Sequence, residues 1–400
     1  MKTQIRELAA AYSQLQLEYF QHLHAHPELS FEEYETSAYI REQLVLAGIS
    51  LQEGISGTSV VGILDSGCSG PVIAFRADLD GLPIQEETGL SYQSQRAGVM
   101  HACGHDSHMA TLLALARLLA EHRELVRGKV KFIFQCAEEK LPGGAAQLCR
   151  EGVMQDVDAI YAFHCSSMVP LGVVATTVGA TSACIATYDV VIHGKSGHIC
   201  NPDQALNPVP VACTMATTLN QILAEKASPL EKAVFTVSYI QAGQRENIIA
   251  SEAKLGGSIR TFSNDLTEQL FQQLHAVCHG VCAAYGCTCD ITTKRGYPAA
   301  INTKAETELV NTAVDLLGYE RWAAESAMNG EDFSYYLLEK PGSMFYVGMA
   351  VEEAAAVAPH HNCHFQLHPR GLLVALEMEL AIYLQAVGWE AETLSILADK

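Results

Sequence analysis

The sequence predicts an α/β fold in which a first domain, residues 1–182 and 298–400, is interrupted by an inserted α+β domain of ferredoxin-like arrangement at 183–297. Three observations predict it. Short apolar runs alternate with a helical pattern in the first half, a β-α-β-β-α-β order fills the middle, and alternation returns near the C-terminus. Four hundred residues also exceed what one hydrophobic core usually organises, which favours two domains.

Residues 72–78 (VIAFRAD), 129–135 (KVKFIFQ) and 159–164 (AIYAFH) read as buried strands, each ending in polar, reactive side chains. Between the first two, residues 106–121 space Met109, Leu112, Leu113, Leu115, Leu118 and Leu119 as a helix does. In such a sheet the chemistry gathers beyond the carboxyl ends of the strands. The inserted domain follows as a strand at 186–193, a helix near 206–225, strands at 233–241 and 253–261, a helix at 266–285 and a strand near 287–294. FYVG at 345–348 reads as a further strand, and 371–389 as a closing amphipathic helix.

Composition narrows the function. Lys plus Arg total 25 against 45 Asp plus Glu, a formal charge of −20, and no basic stripe with interleaved aromatics occurs, so nucleic acid would be repelled. Apolar runs break well before the roughly 18 residues a membrane span needs. The N-terminal KTQIRELAAAYSQLQLEYF is an amphipathic helical pattern unlike a secretory signal, so a cytoplasmic location is expected. The 13 cysteines are odd in number and scattered, with Cys149, Cys184 and Cys213 in apolar settings, which predicts reduced buried thiols over a disulfide framework.

Residues 101–109, HACGHDSHM, crowd three histidines, a cysteine and an aspartate together. Three readings compete for them: a hydrogen-bonding loop, a Cys103 nucleophile with His101 or His105 as its base, and a metal site. Cys103 and His105 precede a predicted helix whose amides and dipole favour a thiolate. The metal reading needs further ligands at other strand ends. QCAEE at 135–139, His164, and PHHNCH at 359–364 with His360, His361 and His364 supply them. Glu138 and Glu139 are adjacent, so one can ligate while its neighbour faces a water as general base.

These segments resemble the M20 metallopeptidases, within them the amidohydrolase branch of N-acyl-amino-acid, hippurate and indole-acetyl-amino-acid hydrolases. The likeness rests on HAHPELSFEEYET at 24–36, FRADLDGLPIQEETG at 75–89, HACGHDSHMA at 101–110, AEE at 137–139, GKSGH at 194–198, GEDFSYYL at 330–337 and HHNCHF at 360–365. It implies a zinc-peptidase-like catalytic domain holding two divalent metal ions, with Cys103 shared and His105, Glu139, His164 and His361 completing the set. Zinc or manganese is implied, with cobalt or nickel able to take related sites. Glu138 is similar to the family's proton-transferring carboxylate, and Asp78 to the aspartate that orients a ligand. In the insert, His198 resembles a residue that steadies the oxyanion, commonly across a dimer. Asn247 and Arg260 resemble substrate-gripping residues, Arg260 being suited to a carboxylate. The resemblance thus implies a homodimer formed through an inserted lid, acting on a small acyl-amino-acid with no nucleic-acid or membrane partner.

Several positions depart from the motifs. Cys136 stands where proline is common, Asp203 where a second histidine often sits, and Ala250 and Cys363 replace prolines. None removes a ligand or the base, so they read as a shift in acyl or amino-acid preference. An aminopeptidase or dipeptidase is the nearest competing activity, and a binding protein that has lost turnover is the alternative outside enzymes. His101, His108 and His368 read as structural or supporting residues, and Glu331 and Asp332 as groups that orient a ligand or start a helix.

Overall fold

The computed structural model describes residues 1–353 and 357–389; residues 354–356 and 390–400, which the sequence assigns to the first domain, lie outside them. In chain order the first elements are α1 (Lys2–Ala25), α2 (Tyr34–Leu46), β1 (Ser50–Leu51), β2 (Val60–Asp65), β3 (Val72–Asp78), α3 (His105–Glu121), β4 (Lys129–Gln135), α4 (Ala145–Arg150), β5 (Ala159–Ser166) and β6 (Val173–Thr176). The middle adds β7 (Gly179–Ser182), β8 (Cys184–His193), β9 (Gly197–His198), α5 (Pro208–Lys226), β10 (Ala233–Ala242), β11 (Ile248–Ile249), β12 (Glu252–Thr261), α6 (Asn264–Tyr285), β13 (Thr288–Arg295) and β14 (Ala300–Asn302). The chain then forms α7 (Lys304–Leu317), β15 (Glu320–Ala323), α8 (Ser334–Glu339), β16 (Gly342–Gly348) and α9 (Arg370–Ala386).

One compact unit comprises Met1–Gly179, Ile301–Glu325 and Tyr335–Lys400. Its eight-stranded sheet runs β1-β2-β4-β3-β5-β16-β6-β15, with β3 parallel to both β4 and β5, and β5 parallel to β16. These central strands are buried along nearly their whole length, which is why VIAFRAD and KVKFIFQ are apolar without alternation. Helix α3 is equally enclosed: Met109, Leu112, Leu115, Leu118 and Leu119 are all fully buried. Each such side chain stabilises the unit by about 1.5–3 kcal/mol relative to exposure. Register decides what the strand ends present. Asp78 pairs with Gln135 across β3 and β4, and Tyr346 with His164 across β16 and β5.

The other unit comprises Ala180–Ala300 and Ser326–Ser334. The last segment therefore groups with the insert, whereas the sequence reading placed 298–400 wholly with the first domain. Its elements follow the order β-α-β-β-α-β, and its four-stranded antiparallel sheet runs β10-β12-β8-β13. Along β8 the burial alternates, with Ala186, Tyr188, Val190 and Ile192 facing the side chains of α5 and α6 in one core. Ser263 caps α6 by accepting a bond from the Leu266 N–H, and Gly286 ends it at φ 73°.

All 13 cysteines are free. Of the three expected to be buried, Cys184 is, Cys149 is half-buried and Cys213 is exposed; an apolar sequence context on α5 did not reveal which face carries it. Among the described residues no helix is long and apolar enough to cross a membrane.

Candidate metal centre

The first unit brings all five ligand candidates together. Cys103, His105 and His164 place one donor atom each within 4.8 Å of one another, and so do Cys103, Glu139 and His361. The two triads share the Cys103 sulfur. His164 Nε2 lies 3.6 Å from that sulfur, and His361 Nε2 lies 3.0 Å from Glu139 Oε1.

Local backbone geometry explains the convergence. Gly104, in the left-handed region at φ 85°, turns the chain from Cys103 into α3, and a Cβ there would run into Cys165 Sγ. Of the three non-glycine residues with positive φ among the described residues, two belong to this cluster, Ala137 at 54° and His361 at 63°. Such strain persists only where surroundings enforce it. The Ala137 N–H donates to buried Glu33 Oε1 at 2.8 Å, and the His361 N–H donates to Ala102 O at 2.8 Å, which fixes the C-terminal loop beside Cys103.

The imidazoles are oriented from behind. His105 Nδ1 sits 2.9 Å from Asp80 O and 3.2 Å from Asp80 Oδ1, and His164 Nδ1 donates to Cys165 O at 2.7 Å. In both, Nε2 is left to face the cluster, the arrangement found behind metal-bound histidines. His105 Nε2 is buried and has no hydrogen-bond partner among the described residues. It looks toward Asp78 Oδ2 at 3.6 Å and Glu139 Oε1 at 4.0 Å.

Asp80 is the residue that sequence reasoning missed. Besides His105, its carboxylate accepts the Ser30 hydroxyl at 2.6 Å and the backbone N–H groups of Glu138 and Glu139 at 3.1 and 3.0 Å. The orienting role given to Asp78 is corrected accordingly. Asp78 instead binds His108 Nδ1 at 2.6 Å and Arg76 at 2.7 Å. The signal was present: in DLD, positions 78 and 80 share one face of an extended chain. His108 accepts the Cys165 N–H at 3.0 Å through Nε2, so it is a supporting residue with its proton on Nδ1.

The electrostatics call for positive charge. Burial opposes the charge on Asp78, yet Arg76, then His105 and His108, hold its carboxyl well below the usual range. Burial also opposes a charged His105, but Asp78 and Asp80 outweigh it and raise its pKa to about 10. Burial, then Glu139 and Glu138, push the Cys103 thiol well above its ordinary value. The expectation that the helix terminus would favour a thiolate is thus corrected: desolvation and neighbouring carboxylates win, which disfavours a free nucleophile. His101, the alternative base, is buried, and desolvation pushes its pKa down to about 4. A thiol, three imidazoles and a carboxylate around an unpartnered Nε2 fit divalent cations of the zinc or manganese type.

His360 is half-buried beside His164, with ring centroids 5.2 Å apart, and desolvation drives its pKa down to about 2. Glu138 is buried at 8% exposure, adjoining Glu139. His198, Asn247 and Arg260 all lie in the second unit. His198 pairs with Ile248 in the β9-β11 ribbon, and the Ile199 N–H donates to Asn247 O at 3.2 Å, so these two exposed residues flank one ribbon. Arg260 lies on β12, half-buried, with Nη1 bonded to Ile259 O. Glu331 and Asp332 are buried in the same unit, where Glu331 Oε1 accepts the Phe333 N–H.

Comparison with known proteins adds an independent line. The pattern of peptidase family M20/M25/M40 matches residues 74–384. N-acetyl-L-cysteine deacetylase of Bacillus subtilis is 36% identical over 82% of this chain and 78% of its own. Thermostable carboxypeptidase 1 of Saccharolobus solfataricus is 34% identical over 86% of this chain and 88% of its own. The solved structure of Bacillus subtilis YXEP, described as a dinuclear metal-binding peptidase from the M20 family, is 31% identical, with a TM-score of 0.82 over 95% of this chain and 100% of that one.

Proposed function

We propose, because the chain belongs to peptidase family M20/M25/M40, that it is a dinuclear metal-dependent amidohydrolase cleaving N-acyl amino acids or related small conjugates. The observation that carries this reading is the pair of ligand triads meeting at Cys103. Cys103, His105 and His164 would hold one ion, and Cys103, Glu139 and His361 the other. Bound divalent cations lower the pKa of water and polarise an amide carbonyl.

The protein's own groups do the rest. Glu138 takes a proton from the attacking water and later delivers it to the leaving nitrogen as the C–N bond breaks, releasing an acid and a free amine. Asp80 holds that carboxylate's backbone and His105 in one hydrogen-bonded frame. His198 donates to the developing oxyanion, Arg260 clamps the substrate carboxylate with its planar fork, and Asn247 fixes the substrate's orientation. The second unit, a ferredoxin-like insert, serves as lid and homodimer interface, and the enzyme works in the cytoplasm. The ion is zinc or manganese, cobalt or nickel being alternatives of the same ligand chemistry.

The likeness to a carboxypeptidase favours one second reading, cleavage of a peptide bond. A panel of N-acetyl, N-benzoyl and dipeptide substrates separates the two. Turnover of acylated amino acids that is lost to a chelator and restored by Zn²⁺ or Mn²⁺ supports the amidohydrolase. Hydrolysis confined to substrates with a free α-amine refutes it in favour of a peptidase.

A further inference from the structure

A third set of ligand atoms lies in the first unit, apart from the five assigned above. Glu87, Cys363 and His364 bring a carboxylate oxygen, a sulfur and an imidazole nitrogen within 4.8 Å of one another. Cys363 Sγ lies 3.7 Å from Glu87 Oε2, and His364 Nε2 lies 3.7 Å from the same oxygen. The second separation is too long for an N–H···O bond. It is close to the spacing of two donors on one ion: bonds of about 2.0–2.3 Å to zinc in tetrahedral array put donor atoms roughly 3.4–3.6 Å apart.

Backbone bonds lock the arrangement. The Glu87 N–H donates to Cys363 O at 2.9 Å, and the His364 N–H donates to Asn362 Oδ1 at 2.9 Å. His364 Nδ1 lies 3.0 Å from Glu87 O, and since a carbonyl only accepts, that nitrogen carries the proton. With Nδ1 engaged, Nε2 is the ring nitrogen that faces the Glu87 carboxylate. Histidine donating Nδ1–H to a carbonyl while presenting Nε2 is the habit of a metal ligand. The adjacent thiol adds a soft donor, which selects a zinc-like cation over calcium or magnesium. Side-chain exposures of 59% for His364 and 61% for Glu87 leave the site open to solution and to completing waters.

We propose that Glu87, Cys363 and His364 form a third, peripheral site for a zinc-type divalent cation. Its occupancy ties the segment around Glu87 to the loop that carries His361, two residues before Cys363, and so stiffens one ligand of the main centre. The site gives the protein a response to cation concentration separate from the demands of catalysis.

The test is alkylation of the full-length protein by iodoacetamide, with the modification of Cys363 followed by peptide mass spectrometry with and without ZnCl₂. Zinc is expected to slow Cys363 alkylation at least about tenfold in the wild type, with protection lost in Glu87→Gln and in His364→Ala. All three positions are solvent-accessible loop residues, so these variants fold. Alkylation indifferent to zinc, or protection that survives both substitutions, overturns the proposal. The readout does not depend on turnover, so its failure would leave the reading of the main centre untouched.

Discussion

The Cys103 cluster and the His198 ribbon differ in how much protein holds each functional side chain. Around Cys103, His105 and Asp80 are fully buried and fastened by strand ends, backbone carbonyls and a second rank of carboxylates. Around His198, the side chain is exposed and its recorded bond is Nδ1 accepting the N–H of Cys200, two residues on. The difference teaches that the proposed cation ligands are fixed in place beforehand, because like charges have to be held together. Groups that meet a substrate can wait for it.

Breaking the comparison at its centre has the largest effect. Glu138→Gln should lower kcat about 10⁴-fold, since one group performs both proton transfers, while metal content measured by elemental analysis stays at the wild-type level. His198→Ala should cost roughly 10²–10³-fold in kcat, the loss of one oxyanion donor, with thermal stability and metal content unchanged. If the ribbon were as embedded as the cluster, that substitution would also lower the melting temperature. Asp80→Ala should weaken metal affinity about 10–100-fold, read by competition with a chromogenic chelator, because His105 loses its orienting partner.

The smallest effect lies away from both regions and sharpens what burial alone costs. Glu379 on α9 is 1% exposed, both carboxylate oxygens lack hydrogen-bond partners, and burial raises its pKa well above 4.5. Below the unfolded value the pH-dependent part of that cost vanishes, leaving only the burial of an unpaired neutral carboxyl. As pH climbs past 4.5 the unfolded chain ionises and the folded chain does not, so stability falls until the folded pKa is passed. Glu379→Met should therefore raise stability by about 1–2 kcal/mol more at pH 8 than at pH 4, by urea unfolding.

Much of this was legible in the sequence because strand ends announce themselves: apolar runs stop at Asp78, Gln135 and His164, and the residue types left at or just beyond those ends can serve as ligands and bases. The helical spacing of α3 and the order of elements in the insert were equally open to view. What stayed hidden was backbone-borne. Nothing in the letters marks positive φ at Ala137, next to Glu138, or at His361, whose N–H pins its loop to Ala102. Asp78 and Asp80 look equivalent in DLD, and only the position of His105 separates a ligand's orienter from a partner of His108. Helix α7 is a further element whose signal is in the letters, since Val310, Ala313, Val314 and Leu317 follow helical spacing and are buried.

The sharing of one sulfur by two ions is the claim on which the account rests. A crystal structure of the metal-loaded protein, with ions located by anomalous scattering at their absorption edges, measures it directly. The account predicts two peaks, one among Cys103, His105 and His164 and one among Cys103, Glu139 and His361. A single ion, or a pair of ions neither of which touches Cys103, would contradict it.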